Sequence, residues 1–235
     1  MSDDSYASSP CFGHELVGGQ PVDPETARDV ARFRKAERER LIAERLAVPV
    51  AERSALAEEI AAVLDEVIAP GDGTIVSLYW PFRGELDLRG WMTRAHDRGA
   101  RIALPVVVEK AHPLIFREWA PGCRMERGVW NIPIPADGAE LTPNVVISPL
   151  VGTADCYRLG YGGGFYDRTL AAAAPRPLVI GVGHPAARIP TIYPQPFDIP
   201  MDVVVLGAQD VTRRNAQRPP EASVADHSWN GPVRD

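Results

Sequence analysis

The stretch Arg158-Leu159-Gly160-Tyr161-Gly162-Gly163-Gly164-Phe165-Tyr166-Asp167-Arg168, read with the segments on either side of it, decides the architecture of the chain. Four glycines within five positions allow positive φ and let backbone N–H groups converge on a bulky anion, because no Cβ blocks the approach. Upstream, Asn144-Val145-Val146-Ile147-Ser148-Pro149-Leu150 is an apolar run of strand length, as in a strand covered on both faces. Downstream, Thr169-Leu170-Ala171-Ala172-Ala173-Ala174 is Ala-rich and stopped by Pro175, which predicts a short helix, and Leu178–Gly183 reads as the next strand. Strand, glycine loop, helix, strand is the order of a parallel α/β unit, and it turns the positive end of a helix toward a phosphate. Arg158 and Arg168 flank the loop with positive charge, and Asp167 offers a carboxylate suited to the magnesium of a nucleotide. A glycine-rich structural turn accounts for a short glycine string equally well. The loop lacks the Gly-Lys-Ser/Thr of a Walker sequence and the spacing of a dinucleotide fingerprint.

The same alternation continues outward from this unit. Thr74-Ile75-Val76-Ser77-Leu78-Tyr79 predicts a buried strand, Leu88 to about Arg98 a helix ended by Gly99, and Arg101-Ile102-Ala103-Leu104-Pro105 the following strand. Leu114–Trp119 and Val203–Leu206 add strands, whereas Gly128-Val129-Trp130-Asn131-Ile132-Pro133-Ile134-Pro135 is too proline-rich for regular structure. Asp23-Pro24-Glu25 has the N-cap, first-position proline and first-turn acid of a helix running to about Ala47. A second helix carries the apolar stripe Leu56, Ile60, Val63, Leu64, Val67 and Ile68 and ends at Pro70-Gly71. The expected fold is α/β, a mainly parallel sheet with helices on both faces, in a single domain over residues 23–208. Residues 1–22 read as a disordered extension and 209–235 as a disordered tail, since neither shows apolar periodicity.

With 45% hydrophobic content in 235 residues, the chain can bury one sizeable core. A net charge of −6 argues against a nucleic-acid surface, so an anionic ligand must be met by local positive charge. No apolar run approaches the roughly 18 residues of a membrane span, and the first basic residue is Arg28, so neither a membrane segment nor a signal peptide is expected. Cys11, Cys123 and Cys156 are widely spaced and odd in number, which fits neither a disulfide framework nor a zinc site and points to a reducing cytoplasm. The expected assembly is a monomer or weak homodimer. His184 stands alone, either a structural histidine or an acid–base group; His14, His96, His112 and His227 have no ligand-like spacing.

Local patterns nominate further residues with two readings each. The first helix carries Arg28, Arg32, Arg34, Lys35, Arg38, Arg40 and Arg45 among Glu37, Glu39 and Glu44. This is either a solvated salt-bridged face or, through Arg34 and Arg38 one turn apart, an anion site. Trp80-Pro81-Phe82-Arg83-Gly84-Glu85 leaves the carboxyl end of a strand, where open α/β sheets present ligand loops, yet Glu85 also reads as a turn carboxylate. Trp130 is either a core plug or the wall of a site.

The string Arg158–Arg168 closely resembles the signature of the 5-formyltetrahydrofolate cyclo-ligases, also called methenyltetrahydrofolate synthetases. Tyr79–Asp87, Trp130-Asn131-Ile132-Pro133 and Phe197-Asp198-Ile199-Pro200-Met201-Asp202 resemble further motifs of that family, in its order, over roughly residues 30 to 207. The resemblance implies a fold related to sugar-phosphate isomerases and CoA transferases. It implies ATP and a reduced folate as partners, Mg2+ as the metal, and ATP-dependent conversion of 5-formyltetrahydrofolate to 5,10-methenyltetrahydrofolate. For ATP it implies Arg34, Lys35, Arg38, Arg158, Gly160, Tyr161, Gly162, Gly163, Gly164, Phe165 and Tyr166. For the folate it implies Trp80, Glu85, Trp130, Tyr161 and Tyr166, with Arg158 and Tyr166 catalytic and Asp167 and Asp198 at the metal. The chain departs from the family at the shorter segment 152–157, at His184 and Ala187 where an aromatic and a Gln are typical, at Phe197 in place of His, and at Val106 after Pro105. Such departures on the folate side leave open a paralogue that binds nucleotide or folate without turnover or takes another substrate. A sugar-phosphate isomerase or acyl-CoA enzyme on a similar fold is the third reading.

Overall fold

The computed structural model describes residues 15–17 and 20–214; the disorder expected at 1–14, 18–19 and 215–235 lies outside the described residues. The chain opens with a two-stranded ribbon, β1 (Glu15–Val17) paired antiparallel to β2 (Gln20–Val22), inside the segment expected to be disordered. Asp23 then caps α1 (Pro24–Ala47), its carboxylate accepting from the Thr26 amide at 2.8 Å. After Pro49 comes α2 (Val50–Ile68), whose C-cap Ala69 takes a left-handed φ of 48° before Pro70.

The core of the fold is a seven-stranded sheet. Its strands are β3 (Ile75–Ser77), β4 (Arg101–Val106), β5 (Ile115–Trp119), β8 (Val145–Pro149), β11 (Leu178–Val182), β12 (Val203–Gly207) and β13 (Asp210–Arg213), in spatial order β13-β12-β11-β8-β3-β4-β5. The five inner strands are parallel, and β5 and β13 run antiparallel at the two edges. The expected tail therefore starts later than residue 209, because Asp210–Arg213 is hydrogen-bonded into the sheet through a bulge at Val205/Gly207. The remaining elements are α3 (Arg89–Asp97), α4 (Phe165–Ala172), and two ribbons, β6 (Met125–Arg127) with β7 (Pro133–Pro135) and β9 (Gly152–Ala154) with β10 (Tyr157–Leu159).

Residue alternation sorts the two faces. Val76, Ile102, Leu104, Ile147, Ile180, Val182, Val203 and Val205 point to one side, against Ile60 and Leu64 of α2 and Trp91 and Met92 of α3. Their neighbours Ala103, Val146, Val179 and Val204 point to the other, under α4 and the loops that follow β4 and β8. Both faces are covered, which is why each strand reads as an unbroken apolar run. No helix among the described residues is long and apolar enough to cross a membrane.

Three local expectations change. The strand before the glycine loop does not feed it directly: the β9–β10 hairpin intervenes, turned by Asp155 and Cys156 with φ of 47° and 63°, the positive pair that a tight hairpin turn demands. The helix after the loop starts at Phe165, four residues before Thr169, so Tyr166 and Asp167 belong to its first turn. The proline-rich segment is partly regular. Gly128 and Ala136 donate to Ile132 and Arg124 carbonyls, which leaves Pro133 and Pro135 at positions whose nitrogens face away from β6.

Candidate active site

The chain steps from β3 to β4 on one side of the sheet and from β8 to β11 and β12 on the other, so order reverses between β3 and β8. Ligands of open α/β sheets bind outside the carboxyl ends of the strands at such a point. Here a cavity of about 720 Å3 opens there, lined by Tyr79 and Trp80 after β3, Leu104 and Pro105 of β4, and Pro149 of β8. That volume is in the range of cofactor and substrate pockets.

One end of the cavity is cationic. The glycine loop 160–164 enters α4, and Gly162 and Gly164 take φ of 93° and 64°, where side chains are strained. Gly164 caps α4 without any side-chain acceptor, so the first-turn amides face the cavity unclaimed by a cap. Arg38 reaches across from α1, its Nε donating to the Gly160 carbonyl at 2.7 Å. Burial, then the charge of Arg34, pushes the Arg38 guanidinium below its ordinary value, as expected where cations are gathered. Arg158, 6% exposed, donates through Nη2 to Asp167 at 2.7 Å and stacks over the Tyr166 ring at 5.2 Å. Its Nη1 and the Tyr166 hydroxyl are both buried without a hydrogen-bond partner among the described residues. Burial holds the Tyr166 phenol well above its usual value, so it stays a donor at neutral pH. Two orphaned buried donors in one cavity are costly unless an acceptor arrives.

The same cavity also holds aromatic rings and one carboxylate. Arg83 and Gly84, with φ of 47° and 75°, turn the chain so that the Glu85 amide donates to the Phe82 carbonyl. Glu85 is 8% exposed; it accepts from the Phe82 amide at 2.9 Å and from the Tyr161 hydroxyl at 3.0 Å. It is thus both the turn carboxylate and a residue of the cavity. Burial pushes its carboxyl up to about 7 against the opposing pull of Arg45, the Phe82 amide and Tyr161. Trp80 lies under the Arg89 guanidinium, and Phe82 meets Tyr161 with ring centroids 6.0 Å apart. Trp130 is no core plug: it is 54% exposed, held at φ 56°, and packs edge-on against Phe165 at 6.0 Å.

Not every expected residue joins this arrangement. Lys35, one position past Arg34, is rotated about 100° around the helix, so its ammonium lies beside Glu39 in solvent rather than at the glycine loop. Arg34 lines the cavity, but four of its five N–H donors are taken: Nε by the Ile192 carbonyl, Nη2 by the Tyr193 carbonyl and Asp198, and one on Nη1 by Asp198. Asp198 also accepts from the Gln195 amide, so its Oδ2 carries two hydrogen bonds and its Oδ1 one. Asp167 Oδ1 accepts from Arg158 and the Ile199 amide, while Oδ2 has no partner among the described residues. No group of three or more His, Cys, Asp or Glu is gathered among the described residues. One carboxylate oxygen beside phosphate oxygens fits magnesium, which prefers such mixed shells. Asp198, paired with Arg34, offers a metal only the remaining lone pair of Oδ1.

His184 is buried under the Gly84 carbonyl, 3.2 Å from Nε2, and burial lowers its value; it buttresses the Glu85 turn from outside the cavity. Ala187 is buried against Leu150 and the strand residues and lines no part of the cavity, whereas Phe197, 41% exposed, does. Of the folate-side departures, only Phe197 therefore alters the wall. The residue that pattern reading left without a role is Arg45, 5% exposed, whose guanidinium reaches Tyr161. Its signal was its spacing: Arg34, Arg38, Leu41 and Arg45 fall within about 60° of one another around the α1 axis.

Comparison with known proteins places these features. The profile of the 5-formyltetrahydrofolate cyclo-ligase family matches residues 30–207. The chain is 31% identical over 142 residues to the 5-formyltetrahydrofolate cyclo-ligase of Escherichia coli K12, covering 55% of this chain and 76% of that protein. It is 30% identical over 183 residues to the 5-formyltetrahydrofolate cyclo-ligase of Mycolicibacterium smegmatis, covering 74% and 93%. A solved 5,10-methenyltetrahydrofolate synthetase from Aquifex aeolicus shares the fold with a TM-score of 0.67 at 24% identity, over 83% of this chain and 100% of that one. The corresponding protein of Mycoplasma pneumoniae gives 0.62 at 21% identity, over 75% and 99%.

Proposed function

The chain belongs to the 5-formyltetrahydrofolate cyclo-ligase family, and we propose that this cavity carries out that family's reaction, converting 5-formyltetrahydrofolate to 5,10-methenyltetrahydrofolate with ATP. The observation that carries this reading is the pairing of opposite chemistries in one cavity. Orphaned donors of Arg158 and Tyr166, an open glycine loop and a buried carboxylate among aromatic rings line one cavity.

A formamide oxygen is a poor leaving group, and the chemistry removes that obstacle. The formyl oxygen attacks the γ-phosphorus, an O–P bond forms, and the bond to the bridging oxygen breaks to release ADP. The N10 lone pair then adds to the activated carbon, and the C–O bond breaks as phosphate departs with the former formyl oxygen. The N10 proton is accounted for by the hydrogen phosphate released, so charge and atoms balance. Phosphoryl transfer asks the protein mainly for alignment and charge stabilisation. The loop amides, Arg38 and Arg158 supply donors for the phosphates, and the Tyr166 hydroxyl lies where a developing oxygen charge needs a partner. Glu85 and the walls of Trp80, Phe82 and Trp130 suit a flat heterocycle bearing N–H donors. Magnesium, held by Asp167 and phosphate oxygens, would neutralise triphosphate charge. Arg34 holds the 192–198 segment and, lining the cavity with one Nη1 hydrogen to spare, adds its charge to the phosphate site. We place the reaction in the cytoplasm and in a monomer or weak homodimer.

A spectrophotometric assay for the methenyl product, with and without ATP, tests this. Turnover only with ATP is the expected result; purified, folded protein that binds ATP yet forms no product would overturn it.

A further inference from the structure

Arg45 is a buried cation without a carboxylate partner at ion-pair distance among the described residues. Its Nε donates to the Arg83 carbonyl at 2.9 Å, Nη1 to the Leu150 carbonyl at 3.1 Å and Nη2 to the Tyr161 hydroxyl at 2.6 Å. Tyr161 passes its own hydrogen to Glu85 Oε1 at 3.0 Å. The three acceptors belong to the turn that carries Glu85, to the loop after β8 and to the glycine loop. Burying a guanidinium against neutral acceptors is expensive, and an apolar residue of similar size would serve the core as well or better. The geometry that repays this cost is the chain from Arg45 through one hydroxyl to Glu85.

Resting on the cyclo-ligase reading, we propose that Arg45 is a positioning residue of the active site: through the Tyr161 hydroxyl it orients the Glu85 carboxylate and ties the folate turn to the glycine loop. The groups facing Glu85 are few. Arg45 comes from α1, Tyr161 from the glycine loop, Tyr166 from α4 and Tyr79 from the segment after β3, with His184 beyond Gly84. Arg45 is the cation that acts on this carboxylate most directly, and its positive charge favours the ionised form.

The test compares Arg45→Lys, Arg45→Met, Tyr161→Phe and Glu85→Gln, reading kcat and KM for each substrate across pH 5 to 9. Removing the cation or the bridging hydroxyl should raise the half-saturating folate concentration roughly ten-fold, with a clearly smaller change in ATP half-saturation. The acid limb of kcat/KM for folate should move up by about one pH unit in Arg45→Met, return toward wild type in Arg45→Lys, and vanish in Glu85→Gln. Equal losses for folate and ATP, or a wild-type acid limb in folded Arg45→Met, would overturn the proposal. Should Arg45→Met not fold, Tyr161→Phe decides, since it removes one hydroxyl: unchanged folate affinity and pH profile refute the link. A double-mutant cycle between Tyr161→Phe and Glu85→Gln on unfolding free energy keeps the two readings separable. Coupling there without any turnover sinks the enzymatic reading and keeps the link, while turnover without coupling does the reverse.

Discussion

Ionisation of Glu85 should be visible in the stability of the ligand-free protein. Its carboxyl is raised from an ordinary 4.5 to about 7, first because it is buried. A carboxyl raised in the folded state is protonated there while already ionised in the unfolded chain, so between these values the native state binds more protons. The unfolding free energy then falls as pH rises, the reverse of the usual acid-denaturation slope. The protonated group favours folding below pH 4.5, and that contribution is lost progressively up to about 7. A shift of this size corresponds to about 3 kcal/mol at 1.36 kcal/mol per unit, or roughly 6 to 12 °C of melting temperature for a domain of this length. Glu85→Gln keeps the shape and removes the titration. The measurement is urea unfolding of wild type and Glu85→Gln at pH 5 and pH 8, comparing the change in their difference so that static effects of the amide cancel. Wild type should lose about 3 kcal/mol relative to the variant between the two pH values. A difference that stays level would show that Glu85 is ionised throughout, and the burial argument for its role would fail. Saturating folate should flatten the slope, because N–H donors hold the carboxylate ionised.

Gly160 has no positive φ requirement and open space around its Cβ position, so Gly160→Ala should fold with unchanged melting temperature. It should nevertheless raise the ATP concentration at half-saturation, measured by calorimetry; unaltered ATP affinity would remove the glycine loop from the phosphate site. Gly163→Val is a poorer probe, since its Cβ would meet the Phe165 ring at 2.8 Å. Arg34→Ala strips Asp198 and two carbonyls of their donor at a largely buried site, which should cost about 3 to 5 kcal/mol in unfolding free energy; unchanged stability would mean that Arg34 is not a clamp. Trp130→Gly should keep stability level or raise it by about 1 kcal/mol through relief of the left-handed backbone, while weakening folate binding several-fold in a fluorescence or calorimetric titration. Unchanged folate affinity would remove Trp130 from the site.

The residues that local chemistry controls were legible in advance. Asp23 and Pro24 start α1, the apolar stripe of α2 is buried, and β-branched runs become strands, because each depends on near neighbours in sequence. The glycine string and Glu85 were also legible, each through a pattern within a dozen residues. What escaped depends on partners far along the chain. Arg34 and Lys35 look alike in sequence, yet only the first meets Asp198, 164 positions away. The hairpin at Asp155-Cys156 has neither Gly nor Asn to announce its left-handed pair. Asp198 carries the expected carboxylate, but its oxygens are claimed by Arg34 and an amide that no motif encodes. Ala187 reads as a lost ligand until its burial beside Leu150, apart from the residues that line the cavity, gives it a packing role.

The docking of α1 has a kinetic corollary. Among its 24 residues only Leu41 and Arg45 are buried, and three arginines hold it down through carbonyls, a carboxylate and a hydroxyl. Detaching such a helix exposes little apolar surface, so its opening has a shallow dependence on denaturant, unlike the global unfolding of the sheet. Amide hydrogen exchange along α1 should then proceed by local opening well before the strands exchange. Arg38 and Arg45 lie on this helix, so a ligand that engages the cavity fastens it: protection of α1 amides rises with occupancy as local opening is suppressed, and protection of β8 and β11 rises with the global stability that the ligand confers.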